Sequence, residues 1–392
     1  MKITPHQTLY ISLAVLWMFL LPACKPISEI KQPPLPFYGD SHSDSAIPEY
    51  TVSKKNVFII ADKNGTEIFD MLTPFYLFNA TGKANVYIIS RDKKPVVVKK
   101  NLFILPQMTF AEADSMRLEA DVIVIPALSA RTEQQDIVLI DWIKAHYSTK
   151  TKILAICDGA STAAATGLYD GKPMTCHASD YTGIKIHFPN VNWVQNVNVT
   201  KAGNLYSTAG VSNAVEGALI VINDSFDKET MLAAASAIRY PQPEIKTVHK
   251  SIALSGNGKF NIAKKVIFRK NKNTAVLLQN GMNEFFLASI IDTYSRSFPS
   301  SFTSFCPGNS SILTKYGLII LSQSVPDHKK FDEVHVTMPL SQANKDATFS
   351  RHTEIVYYDN TQTFMIDNCI GRIKGLYGSK FSNVVKILLD YN

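Results

Sequence analysis

The chain has 392 residues, 46% hydrophobic, 19% charged and 10% aromatic, with 18 glycines and 19 prolines. At roughly 150 residues per domain this predicts two or three domains with sizeable cores and excludes global disorder, collagen-like repeats and low complexity. The formal charge of +7 comes from scattered lysines and arginines and reads as solvated surface, so no nucleic acid partner is expected. The five cysteines, Cys24, Cys157, Cys176, Cys306 and Cys369, contain no CxxC pair; neither a disulfide framework nor a structural zinc site follows, and no cofactor is expected.

After Lys2 an apolar run from Leu9 to Leu21 ends in Leu21-Pro22-Ala23-Cys24. About 13 residues fall short of the roughly 20 that span a bilayer, so residues 1–24 are read as a signal peptide. The ending resembles a bacterial lipobox, which implies lipidation of Cys24 and a membrane-anchored lipoprotein of the cell envelope facing the periplasm or exterior. Residues 25–52 carry Pro26, Pro33, Pro34, Pro36 and Pro48 among Ser, Asp and Lys, a composition that predicts an extended tether. The folded body is expected to start near Lys54.

Val57-Phe58-Ile59-Ile60-Ala61 is an apolar run closed by Asn64-Gly65, with a helical pattern over residues 67–80. Runs at 86–89, 96–98, 102–105 and 122–125 follow. Several are continuous instead of alternating, as in parallel strands buried on both faces, and a helix-flanked α/β sheet is predicted. A helix over 133–146 leads to the strand Ile153-Leu154-Ala155-Ile156, which ends at Cys157-Asp158-Gly159-Ala160 before a helix of small residues. Strand, nucleophile, sharp turn and helix make a nucleophile elbow. Such a place exposes the thiol to a helix N-terminus, which favours thiolate; the plainer reading is a small buried hydrophobe at a strand end.

With these residues in view, the stretch from Lys54 to Ala237 resembles the DJ-1/PfpI superfamily, and within it the amidase-like domain of AraC-type regulators and the isonitrile-hydratase-like proteins. The resemblance rests on several segments in order: Ala120 to Pro126, the elbow from Ile153 to Ala160, Gly167-Leu168-Tyr169-Asp170-Gly171 with Thr175-Cys176-His177, Phe188-Pro189, and Ser207-Thr208-Ala209-Gly210-Val211 through Glu216. It implies a flavodoxin-like, class I glutamine amidotransferase-like α/β fold: a parallel sheet with helices on both faces. Cys157 matches the family's reactive cysteine, His177 a histidine that follows it, and Asp70 a carboxylate beside it. These residues suit nucleophilic and general acid–base roles. Glu216 falls where the family has an acidic residue in a late helix, and packing explains it equally well. Cys176 could instead pair with Cys157 as a redox switch if their β-carbons approach within about 4 Å.

Two departures weigh against efficient amidase chemistry. Pro126-Ala127-Leu128-Ser129 stands where the family commonly has Pro-Gly-Gly, and Ala127 and Leu128 meet a steric penalty at positive φ that would cost the oxyanion pocket its geometry. Asp158 sets a carboxylate beside the thiol, which raises its pKa.

The second half echoes the first. Residues 274–278 with Asn280-Gly281 mirror the first strand and turn, 312–323 mirror 96–107, and 334–339 mirror the stretch ending at Pro126. The fold is therefore expected to be duplicated, with a first domain over 53–240 and a degenerate second over 255–392; the alternative is an unrelated α/β domain. Phe286 stands where the copy of Asp70 would be. Met365, Cys369 and Ile373 recur at helical spacing, so no second elbow is expected at Cys369. The tail at 384–389 is apolar enough for a final strand or helix. No helix-turn-helix pattern follows. A homo-oligomer is expected for such domains, or else the second copy serves as an in-chain partner covering the apolar surface of the first.

Whether the chain is an enzyme stays open at this stage. The leading reading is a tethered cysteine-dependent hydrolase or lyase for a small electrophilic molecule; the others are a non-catalytic small-molecule-binding or redox-responsive envelope protein, and a structural scaffold.

Overall fold

The computed structural model describes residues 37, 47–129, 132–241, 244–245, 249–307, 311–322, 330–341, 349–358 and 362–391. The stretch read as a signal peptide, Cys24 and most of the expected tether lie outside the described residues. Where the tether is described it touches the body: the Phe37 ring packs edge-on against Phe103 at 5.1 Å between centroids, and Ile47 sits against the core. The reading of 25–52 as a free extended segment is corrected at these points, because an aromatic and an aliphatic side chain each find apolar surface to cover.

The strands of the first half are β1 (Lys55–Ile60), β2 (Ala84–Ser90), β3 (Val96–Lys99), β4 (Leu102–Ile104), β5 (Met108–Thr109), β6 (Val122–Ile125), β7 (Lys152–Ile156), β8 (Pro173–Met174), β9 (Asn192–Trp193), β10 (Val199–Ala202) and β11 (Leu205–Thr208). Its helices are α1 (Ile68–Ala80), α2 (Phe110–Ser115), α3 (Glu133–His146), α4 (Gly159–Ala165), α5 (Tyr181–His187), α6 (Ala214–Ser225) and α7 (Lys228–Ala237). Seven strands form one sheet in the order β10-β11-β7-β6-β1-β2-β5, parallel except for β10 against β11. Successive residues of β1 feed two cores: Val57 and Ile59 face one, with α1, α6 and α7, while Phe58 and Ile60 face the other, with α2, α3 and α4. Both faces are covered, which is why these runs are apolar without alternation.

The second half holds α8 (Gly256–Phe268), β12 (Asn273–Leu277), α9 (Glu284–Ser295), β13 (Ser301–Phe305), β14 (Ser311–Leu313), β15 (Ile319–Ser322), β16 (Glu333–Val336), β17 (Glu354–Tyr357), α10 (Met365–Tyr377) and α11 (Ser379–Leu389). Its parallel sheet β13-β12-β16-β17 repeats the order β2-β1-β6-β7. The tail is helical, and Cys369 lies buried on α10.

One expectation from the apolar runs is overturned. β3 and β4 are not strands of the main sheet; they form an antiparallel hairpin that pairs through β4 with β15, giving a sheet β14-β15-β4-β3 shared by the two halves. The runs are apolar because the other half of the chain buries them. Beside this ladder α1 packs on α9, with Phe69 5.8 Å and Tyr76 6.2 Å from the Phe285 ring. A single core runs from Val57 through Phe285 to Leu389. The halves are therefore joined by both hydrogen bonding and apolar burial, and a cleft lies along their seam.

Candidate active site

β7 delivers Cys157 to the carboxyl edge of the sheet at φ +54°, a left-handed conformation that costs a non-glycine residue of order 1 kcal/mol or more. The turn is tight because the end of β6, the parallel neighbour of β7, lies against it. A β-carbon at Gly159 would lie 2.1 Å from the Ile125 carbonyl oxygen and 2.7 Å from that of Pro126, so only glycine fits there. The thiol is buried, at 5% exposure.

Asp70 comes from the first turn of α1. Glu67 caps that helix, its Oε2 accepting the Asp70 N–H at 2.7 Å. The Asp70 carboxyl is fully buried; Oδ2 accepts the Ala127 N–H at 3.0 Å, and Oδ1 has no partner among the described residues. Further bonds stitch the 126–129 loop to the turn before α1: Glu67 N–H donates to Ala127 O at 2.9 Å and Ser129 N–H to Gly65 O at 2.9 Å. One of the two N–H groups considered for an oxyanion pocket is thus committed to Asp70, while Leu128 bridges to Thr66 and lines the cleft.

The cleft has a volume of about 620 Å³. Glu67, Lys99, Ala127, Leu128 and Asp158 line it from the first half, and Arg296, Phe298 and Leu388 from the second. Arg296 follows α9; its Nε donates to Leu388 O at 2.9 Å, and its Nη1 pairs with the buried Asp292 carboxylate. Sequence motifs signalled neither Arg296 nor Lys99 nor Glu67. The first comes from the other half of the chain, the second from the hairpin, and the third had only the ordinary signature of a helix start.

Electrostatics at the sulfur run opposite to the expectation from the elbow alone. Burial pushes the Cys157 thiol well above its ordinary value, and the Asp70, Asp158 and Glu67 carboxyl groups add to this; the Asp158 N–H works against it. A seven-residue helix and one backbone donor do not offset that much desolvation and like charge. Burial, then Glu67, also raises Asp70 well above the carboxylate range, against the Ala127 N–H and Arg296. Asp158 is raised to about 6, by burial and then by Asp180. Lys99 is pushed down to about 8, chiefly by burial and then by Arg296. Burial and the neighbouring carboxyl groups thus push both the Cys157 thiol and the Asp70 carboxyl toward their protonated forms, while the Arg296 charge acts on both.

The other predicted residues lie apart. His177 Nδ1 accepts the Ser179 N–H at 3.2 Å and stands 3.5 Å from Asp180; its electrostatic effect falls on Asp158. Cys176 is a free thiol in the core on the opposite face of the sheet from Cys157, pushed up to about 12 by burial and by Asp158. Glu216 is buried in α6, where Oε1 accepts the Tyr240 hydroxyl at 2.8 Å.

Residues 54–224 match the model of the DJ-1/PfpI family. Among solved structures the chain is similar to a DJ-1 superfamily protein from Salmonella typhimurium, at 19% identity and a TM-score of 0.41 over 48% of this chain and 100% of that one. It is also similar to DJ-1beta from Drosophila melanogaster, at 22% and 0.40 over 47% and 97%, and to an AraC family transcriptional regulator from Pseudomonas putida, at 13% and 0.40 over 47% and 99%. No curated protein matches the chain.

Proposed function

Residues 54–224 of this chain are a DJ-1/PfpI domain, and from that premise we propose that it is a cysteine-dependent hydrolase or lyase acting on a small electrophilic molecule that enters through the cleft between the halves, whose wall includes Asp158 next to the buried Cys157. The observation that carries the reading is Cys157 held at φ +54° on its elbow, within the electrostatic influence of a buried Asp70 carboxyl whose Oδ1 has no partner among the described residues. Positive φ at a non-glycine residue is a strain that functional sites retain.

The protons can be assigned. Asp158, at about 6, is largely ionised at neutral pH and takes the thiol proton. The sulfur electron pair bonds to the electrophilic carbon, and the pair displaced onto the substrate's oxygen or nitrogen is protonated by Asp70. Water then adds to that carbon and gives a proton to ionised Asp70, and the carbon–sulfur bond breaks with its electron pair on sulfur, which takes back the proton held by Asp158. Incubation with a panel of small amides, nitriles and α-oxoaldehydes, read by NMR and by intact mass, tests this. Turnover should be abolished in Cys157→Ala and fall by roughly 100-fold or more in Asp70→Asn. Turnover that survives Cys157→Ala, or a panel that gives neither turnover nor adduct, refutes it.

A second reading, a ligand-binding or redox-responsive protein, is favoured by the raised thiol pKa and by the engagement of Ala127 N–H with Asp70. Binding unchanged in Cys157→Ala would support it. Since Cys157 and Cys176 belong to opposite cores, oxidation should add oxygen to Cys157 instead of forming a disulfide. In either reading the body is tethered to an envelope membrane through lipidated Cys24, and the second half is a degenerate copy that takes the place of a dimer partner and supplies Arg296 to the site.

A further inference from the structure

The cleft also carries cations, drawn from both halves. Lys99 ends β3, where the register against β4 slips between Val97 and Lys99; such a bulge re-aims the side chains that follow it. The turn beyond is fastened to the second half. Asn101, at φ +62°, donates through Nδ2 to Thr303 Oγ1 at 3.0 Å, and its carbonyl accepts the Ser304 hydroxyl at 3.2 Å. Lys99 is thereby held half-buried in the cleft wall, and its ammonium has no hydrogen-bond or ion-pair partner among the described residues. Arg296 lines the same cleft from the other half. Its Nε is engaged by Leu388 O and its Nη1 by Asp292, while Nη2 has no partner among the described residues.

The carboxylates of the cleft do not answer these donors. Asp292 is taken by Arg296 Nη1, and Glu67 Oε2 by the Asp70 N–H at 2.7 Å. The Arg296 charge acts on Lys99 more strongly than that of Glu67, so repulsion outweighs attraction at the ammonium. Desolvated donors without an acceptor carry a cost that a bound anion removes. Beside them the wall is apolar, with Val97 and Leu128 from the first half and Phe298, Pro299 and Phe302 from the second. The Phe298 backbone sits at φ +54° and its carbonyl accepts the Lys265 ammonium at 2.7 Å, which holds the chain that presents the ring. Glu67 and Asp158 stand in the same wall, and their negative charge disfavours a doubly charged ligand group. A carboxylate fits this balance better than a phosphate dianion.

We propose that Lys99 and Arg296 form a carboxylate-binding subsite, so that the small electrophile is a monocarboxylate held on Lys99 Nζ and Arg296 Nη2 with an apolar body against Phe298 and Phe302. The subsite rests on the cysteine chemistry proposed above and deepens it by naming the substrate class. It also gives the second half a part in choosing the substrate.

Binding to the full chain carrying Cys157→Ala, which lacks the nucleophile, keeps the subsite separate from the reaction. Calorimetric titration with benzoylformate, its methyl ester and phenyl phosphate measures it. The acid should bind about tenfold or more tightly than the ester, as expected for hydrogen bonds to charged groups, and more tightly than phenyl phosphate. Lys99→Met in the same background keeps the apolar stem and should weaken binding of the acid by about tenfold without changing that of the ester, on a fold verified by circular dichroism. Lys99→Arg should retain part of the preference. Equal affinity for acid and ester, tighter binding of phenyl phosphate, no saturable binding of the acid, an unchanged preference in Lys99→Met, or an equal loss in the control Lys150→Met overturns the subsite. Failure of the cysteine chemistry shows elsewhere, as neither turnover nor adduct in the wild type while the preference for the acid persists.

Discussion

Replacing Gly159 by alanine adds one methyl group where two backbone carbonyls already close the space. Its β-carbon would sit 2.1 Å from Ile125 O and 2.7 Å from Pro126 O, against a comfortable carbon–oxygen separation above roughly 3 Å. Neither neighbour is a side-chain end that can swing away. β6 is a central strand, paired on both edges with β1 and β7, so relief requires the elbow and the strand to part by roughly 1 Å. Overpacking of this kind costs about 3 kcal/mol, and at about 2–4 °C per kcal/mol for a domain of this size the melting temperature should fall by about 6–12 °C. Thermal unfolding by circular dichroism measures it. Gly371→Ala is the matched control: Gly371 lies exposed in α10 with nothing within 4 Å of its β-carbon, and alanine there should stabilise by up to about 1 kcal/mol. An unchanged melting temperature in Gly159→Ala would refute the close approach of the end of β6 to the turn.

Asp158→Asn removes a like charge beside the sulfur and should lower the Cys157 pKa by about one unit, read as a shift in the pH midpoint of iodoacetamide alkylation; an unmoved midpoint would remove Asp158 from the site's electrostatics. Arg296→Met leaves Asp292 buried without its cation and should cost about 3–5 kcal/mol, while Arg296→Met/Asp292→Leu should recover most of it; denaturant titration of both distinguishes a lost ion pair from lost packing. Because burial raises Asp158 to about 6, the folded chain holds that proton more tightly than the unfolded one. Its contribution to stability therefore falls, by up to about 3 kcal/mol, as pH rises from about 4 to about 6. The difference in stability between wild type and Asp158→Asn should vary across that window, and a constant difference would contradict the shift.

Features that depend on neighbours in the chain were legible in the sequence. The apolar run of β7 and the small residues Gly159 and Ala160 after Cys157 together specify an elbow, because strand, turn and helix are each encoded within a few residues; that no side chain fits at Gly159 is decided by the neighbouring strand. α3 was readable at its observed bounds, with Thr132 and Gln135 forming its capping box. The spacing of Met365, Cys369 and Ile373 indicated a helix and not a second elbow. The hairpin of β3 and β4 was legible as strands but not in its partner, since a row of buried valines carries no record of which surface buries it.

What tertiary structure alone decided is the state of the site. Glu67, Asp70 and Asp158 act electrostatically on the sulfur from the start of one helix and from the elbow itself, and the Arg296 charge acts from the other half of the chain. The charge on a thiol is set by the sum of such fields in a medium that screens them poorly. The order of residues fixes where Cys157 turns; the protons around it depend on distances through space that no local pattern encodes.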